Sequence, residues 1–152
     1  LIQRAQQEND ITLVSIFVNS TQFNQASDFE QYPRTLQEDL EQLQQLGVSA
    51  VFTPDTESIY PDQYCYRVQE TEMSQLMEGQ FRPGHFDGVL TVVLKVLLLS
   101  QATRAYFSEK DYQQLKLIEG MAAAFFLNTK IVSSTHSSIF RQNHTCFIII
   151  LL

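Results

Sequence analysis

The sequence predicts an α/β protein built on a doubly wound, parallel sheet, and three observations carry that prediction. Residues 11–18 are rich in β-branched and aromatic side chains and apolar on both faces, the pattern of a strand covered on each side. Leu36, Leu40, Leu43 and Leu46 draw an apolar stripe at helical spacing that stops at Gly47, and a strand over 48–53 follows at once. The same alternation recurs with a strand over 103–107, a helix over 112–126 and a new strand from 130 to 132.

Each element has a local reason. The polar stretch 19–31 predicts a loop off the carboxyl end of the first strand, the edge at which open α/β sheets bind ligands. Thr35 followed by Glu38 forms a capping box at the start of the leucine-striped helix, and Pro54 stops the strand that follows it. Residues 64–68 predict a weaker strand, and 73–77 a short helical segment before Gly79. The run 89–99, broken only by Thr91 and Lys95, is apolar around its circumference, which predicts a helix buried against the sheet. The helix over 112–126 turns Leu115, Ile118, Ala122, Phe125 and Phe126 inward.

Composition narrows the function. At 152 residues, with 44% hydrophobic side chains and no repeat or linker, the chain fits one globular domain. A formal charge of -7 with scattered basic residues argues against a nucleic-acid partner, which requires a concentrated basic face. Cys65 and Cys146 have no metal-site or disulfide-framework spacing, so a reducing, cytoplasmic compartment is expected. No residue run is long enough for a membrane span, and the start of the chain has no signal-peptide core. The Asn143-His144-Thr145 sequon is discounted for want of a secretory context.

The chemistry is concentrated in two polar segments that flank the apolar run: Arg82-Pro83-Gly84-His85-Phe86-Asp87-Gly88 and Tyr106-Phe107-Ser108-Glu109-Lys110-Asp111-Tyr112-Gln113-Gln114. Lys110 and Asp111 fall where a strand turns into a helix, so backbone N–H groups and the positive helix end face any bound anion. Asp111 with Gln114 reads equally as a helix cap. Gln22 and Gln114 each offer a donor and an acceptor, which suits a ligand with hydroxyl and carboxylate groups. Asn19 is either a ligand contact or a turn former. Glu38, Asp39 and Gln42 lie about a helical turn apart and could offer oxygen to Mg²⁺, although a solvated helix face is the commoner meaning, and no metal ligand is assigned. His136 and His144 lack zinc spacing.

These motifs resemble the pantothenate synthetases, the pantoate–β-alanine ligases. The resemblance takes in the Arg82-to-Val89 loop, the Glu109-Lys110-Asp111-Tyr112-Gln113-Gln114 turn, Ser15 to Asn19, Gln22-Phe23, Tyr32-Pro33-Arg34-Thr35 and Tyr60-Pro61, and covers roughly residues 1–132. It implies a Rossmann-like, nucleotidyltransferase-type fold, here truncated at both ends, with 1–132 as the central part of the ATP- and pantoate-binding domain. It further implies ATP-dependent condensation of pantoate with β-alanine through a pantoyl adenylate, with Mg²⁺ accompanying ATP and a homodimer as the assembly. In site terms, Lys110 would be catalytic on the ATP phosphates, Asp111 would meet the ribose, and Phe107 and Ser108 would line the nucleotide turn. Gln22, Gln114 and Asn19 would hold pantoate, and Glu78, Arg82 and His85 would line the pocket.

The chain also departs from the family. Its sequence starts a few residues after the expected His-x-Gly-His segment, and from Ser133 it lacks the Ser-Ser-Arg-Asn-type phosphate loop. Ser20 replaces a proline and Ser108 a glycine, and the latter is expected to crowd a nucleotide. Residues 133–152 form a divergent tail, ending in an uncharged, strand-prone run with aggregation character if exposed. The chain as given is therefore expected to be inactive. A non-catalytic remnant that keeps part of the nucleotide and pantoate site is the alternative.

Overall fold

The computed structural model describes residues 1–23, 36–135 and 146–151, the last segment by its backbone. In chain order the regular elements are α1 (Ile2–Glu8), β1 (Thr12–Phe17), α2 (Leu36–Gln45), β2 (Ala50–Phe52), α3 (Thr56–Ile59), α4 (Glu78–Phe81), α5 (His85–Ser100), β3 (Arg104–Ser108), α6 (Tyr112–Ala124), β4 (Lys130–Ser134) and β5 (Cys146–Leu151). Short 3₁₀ turns lie at Ser20–Gln22, Met73–Gln75 and Glu109–Asp111. Thr35 of the expected capping box, the Tyr32-Pro33-Arg34 motif, most of the expected 19–31 loop, His136, His144 and the sequon fall outside the described residues.

The five strands form one sheet in the order β2-β1-β5-β3-β4. β1 pairs parallel with β2, and β3 parallel with β4. β5 runs antiparallel to both of its neighbours, opposing Phe17 with Cys146 and both Val14 and Tyr106 with Ile149. The doubly wound α/β architecture is as expected, and the sheet is mixed because of this one strand. The strand-prone run that ends the tail supplies the sheet's middle strand, β5. Pairing with a strand on each side satisfies its backbone groups on both edges.

Alternation along the strands explains the two layers. Val14, Ile16 and Tyr106 point to one face, where they pack with Ile2 and Ala5 of α1 and Leu43 of α2. Phe17, Ala105 and Phe107 point to the other, against Val89, Leu90, Val93 and Val96 of α5 and Leu115 and Ile118 of α6. Helices thus cover both faces, as a sheet of this kind requires.

Several local expectations change. α1 was not anticipated. Residues 64–68 form no strand; the Val68 amide instead donates to the Thr91 hydroxyl at 2.9 Å. α5 begins at His85, inside the expected polar loop, because Gly84 adopts φ 78 as its N-cap and frees the next residue to enter the helix. α6 ends at Ala124, and Phe126 is 90% exposed with φ 55, so Phe125 and Phe126 lie beyond the inward stripe. Leu117 and Met121 are buried in that stripe. Of the α2 leucines, Leu43 is fully buried and Leu36 is exposed.

Candidate functional site

β1 and β3 both run antiparallel to β5, so their carboxyl ends lie at the same edge of the sheet. Asn19 follows β1 there, and Ser108, Lys110 and Asp111 follow β3. This is the edge at which the architecture binds ligands.

The cluster after β1 is built on Asn19, which is 1% exposed. Its Nδ2 donates to the Gly88 carbonyl at 3.1 Å and to Gln22 Oε1 at 3.4 Å. Its Oδ1 accepts from Tyr60 OH at 2.8 Å and from Thr21 Oγ1 at 2.9 Å. A carbonyl can only accept, so the Gly88 contact fixes which way the Asn19 amide faces. That in turn makes Oε1 the Gln22 atom facing Asn19 and leaves the Nε2 donors of Gln22 available to a ligand. Both protons and both lone pairs of the Asn19 amide are used, so a direct ligand contact by Asn19 would have to replace one of these bonds.

Gly88 permits this closeness. A Cβ there would stand 2.6 Å from the Thr21 carbonyl oxygen and 2.8 Å from the Gln22 nitrogen, so only glycine lets the first turn of α5 rest on the Ser20–Gln22 turn. His85, one turn earlier, is 6% exposed and bonds the Gln22 carbonyl through Nδ1 at 2.8 Å. Its Nε2 lies 3.4 Å from Arg82 Nη1, and Arg82 in turn pairs with Glu78 at 2.8 Å. Burial, and next the Arg82 charge, push the His85 imidazole below its ordinary pKa, opposed by the Gln22 carbonyl and by the Glu78 and Asp111 carboxylates.

At the end of β3, Ser108 has φ -77 and ψ 137, ordinary extended backbone that needs no glycine. Its Oγ accepts the Lys110 amide at 3.2 Å, so the cap of this turn is Ser108. Asp111 makes no side-chain cap to α6, contrary to the cap reading of that residue. Lys110 and Asp111 are exposed, whereas Phe107 lies in the core and offers a ligand only its backbone. Gln114 is partly buried in the first turn of α6. Its neighbour Gln113 accepts the Glu78 amide at 3.1 Å and donates to the carbonyls of Met73 and Leu76, which fastens α4 to the start of α6.

The structure therefore joins Asn19, Gln22, His85, Arg82 and Glu78 in one hydrogen-bonded chain and sets Ser108, Lys110 and Asp111 at the same sheet edge. Tyr60, Thr21, Gly88 and Gln113 were not assigned roles from sequence. Tyr60 and Gly88 stood within quoted motifs, but their partners lie 41 and 69 positions from them. Among the described residues no group of three or more His, Cys, Asp or Glu could hold a metal, and no helix is long and apolar enough to cross a membrane.

Comparison with known proteins identifies the family. The family model described as pantoate-beta-alanine ligase matches residues 1–144. Pantothenate synthetases from Coxiella burnetii and Bdellovibrio bacteriovorus are 52% and 50% identical over 132 residues, 87% of this chain, and cover 51% and 53% of those proteins. The pantoate-beta-alanine ligase of Francisella tularensis, solved with beta-gamma ATP and beta-alanine, superposes with a TM-score of 0.87 at 45% identity, covering 93% of this chain and 54% of that one. The Thermus thermophilus enzyme gives 0.86 at 43% identity, covering 90% of this chain and 50% of that one. The chain spans about half the length of the curated relatives it matches. On the extent of these matches, the chain belongs to the pantoate-beta-alanine ligase family.

Proposed function

We propose that this chain carries the pantoate and ATP half-sites of a ligase that condenses pantoate with β-alanine. The observation that carries the reading is the Asn19-fixed amide of Gln22, whose Oε1 faces Asn19 and whose Nε2 donors are left over, on a turn at the same sheet edge as Lys110. In the reaction a pantoate carboxylate oxygen attacks the α-phosphorus of ATP, and the bond to pyrophosphate breaks. The β-alanine amine then attacks the acyl carbon of the pantoyl adenylate, AMP leaves, and the amine gives up its proton.

Neither step uses a covalent enzyme intermediate, so the work of the residues is orientation and charge stabilisation. Gln22 and Gln114 hold pantoate, and Asn19 orients Gln22. Lys110 meets the phosphates at the N-terminal end of α6, where the helix dipole favours negative charge, and Asp111 meets the ribose. Arg82 addresses a carboxylate, with Glu78 and His85 holding it in place. Mg²⁺ would enter as the counter-ion of ATP, held chiefly by the phosphates. A second copy of the chain completes the assembly, in a compartment taken as the cytoplasm.

Titrating Mg·ATP into the chain with pantoate present tests the nucleotide half. Lys110→Ala is expected to weaken ATP about tenfold, the scale of one charge-assisted contact. Equal affinity in a folded variant would remove Lys110 from the site.

One observation favours a second reading, a non-catalytic remnant: β5, the middle strand of the sheet, lies beyond the residues matched by the family model. Incubation of a chain extended with the missing His-x-Gly-His and Ser-Ser-Arg-Asn-type segments with ATP, pantoate and β-alanine separates the two. The remnant binds without forming pantothenate, whereas the ligase forms it.

A further inference from the structure

The two nitrogens of His85 independently specify the same tautomer. A guanidinium only donates, so Nε2, 3.4 Å from Arg82 Nη1, must carry the lone pair. A carbonyl only accepts, so Nδ1, 2.8 Å from the Gln22 oxygen, must carry the proton. One neutral ring satisfies both contacts, and the edge of Phe86, with ring centroids 5.0 Å apart, fixes its tilt. The ring thereby ties Gln22, on the turn after β1, to Arg82, just before α5.

We propose that His85 is a positioning residue whose neutral Nδ1–H ring holds the Gln22 turn and Arg82 in register for one anionic ligand, and that protonation at Nε2 releases Arg82. The proposal rests on the reading of Gln22 and Arg82 as pantoate-site residues. When the ring is charged, Nε2–H faces the guanidinium donor to donor and cation to cation, and the Arg82 contact cannot survive. The Gln22 bond persists, because Nδ1 keeps its proton in both states. Among the described residues, the charged groups facing the ring are Arg82 and Glu78 from the α4 segment and Asp111 from the turn after β3, and the turn after β1 presents neutral Asn19, Thr21 and Gln22. Burial and Arg82 keep the ring neutral at pH 7, so release begins below the ordinary histidine value of 6.5. Ligand binding through Arg82 is then present above that value and lost as pH falls through the lower value of the folded ring.

Long-range ¹H–¹⁵N correlation on the ligand-free chain reads the tautomer directly, with the His85 signals identified by their loss in His85→Asn. The expected result is a protonated Nδ1 and a bare Nε2 at pH 7.5, with the Arg82 side-chain signal shifting as the ring titrates. A protonated Nε2 at pH 7.5, or an Arg82 signal indifferent to the titration, overturns the proposal. Pantoate titrations supply the second readout. An asparagine amide can take the place of Nδ1, whereas a glutamine amide reaches the place of Nε2. His85→Asn keeps the Gln22 bond but loses the Arg82 contact, so it should bind about tenfold more weakly than wild type at pH 7.5 and lose the pH dependence; His85→Gln keeps the Arg82 contact but loses the Gln22 bond, and should also bind more weakly with no pH dependence. Wild-type affinity in His85→Asn at pH 7.5, or a pH dependence that survives in either variant, contradicts the proposal. If wild type binds no pantoate at any pH, the pantoate reading fails, and the tautomer and Arg82 titration still decide the role of His85.

Discussion

Asn19 reaches across to Gly88, its amide nitrogen 3.1 Å from the glycine carbonyl, and this single bond sets the polarity of the whole cluster beside β1. The contact exists because Gly88 has no side chain: the space a Cβ would take is filled by the backbone of Thr21 and Gln22. Gly88→Ala is therefore expected to push the Ser20–Gln22 turn off α5. Overpacking of this kind costs about 1 to 3 kcal/mol. Chemical denaturation should show that loss, and pantoate affinity should fall with it. Unchanged stability and affinity would mean that the two backbones separate at no cost.

Lys95 supports the same cluster from behind. Its Nζ donates to the Ile59 carbonyl at 2.9 Å and to Asp62 at 2.7 Å, and it lies 4.7 Å from the centre of the Tyr60 ring whose hydroxyl holds Asn19. The Lys95 hydrogen bond, and next the Tyr66 amide, hold the Asp62 carboxyl below its ordinary range. A depressed carboxylate stabilises the fold above its unfolded pKa, and that contribution disappears as pH falls through the folded value. Lys95→Met should be less stable than wild type at pH 7, and the gap should close as pH drops below about 4. A gap constant down to acid pH would show that Lys95 acts by packing alone.

How much of this was legible in the sequence depends on the range of the interaction. β1, α2, β2, α5, β3, α6 and β4 follow from local periodicity, and the structure moves their ends by a few residues, where Gly84 and Phe126 take positive φ. α1 went unseen because only Ile2 and Ala5 of its seven residues are buried, too few to draw a stripe. The residues 146–151 read as strand-prone, but nothing local says which neighbours an apolar strand will take. Lys110, Gln22 and Arg82 were found through motif resemblance. Tyr60 and Gly88 act through bonds to distant positions, which no spacing in the chain reveals.

The placement of β5 makes a direct prediction. Ile149 opposes Val14 on one side and Tyr106 on the other. Ile149→Pro removes a ladder donor from a strand paired on both edges, a position proline does not tolerate. Urea unfolding should show a loss of at least about 1 to 3 kcal/mol, the cost of one buried unpaired backbone group. Stability equal to wild type would place β5 outside the sheet.

Ser108 caps the turn at which its side chain is expected to crowd a nucleotide. Ser108→Ala leaves the Lys110 amide without its partner and should cost about 1 kcal/mol, with weaker Mg·ATP binding as the turn loosens. Ser108→Gly should cost only a few tenths of a kcal/mol, since glycine is itself a fair cap. Tighter ATP binding by Ser108→Gly than by wild type would instead support crowding by the serine side chain.

The central claim is that Gln22, oriented by Asn19, presents its amide donors to pantoate. Calorimetric titration of pantoate into wild type, Gln22→Ala and Gln22→Glu tests it most directly. The alanine variant should bind more weakly by about 1 to 3 kcal/mol, the cost of a lost hydrogen bond to a buried polar group. The glutamate variant should bind more weakly still, because it replaces donors with a negative acceptor. Equal pantoate affinity in all three folded proteins would contradict the account.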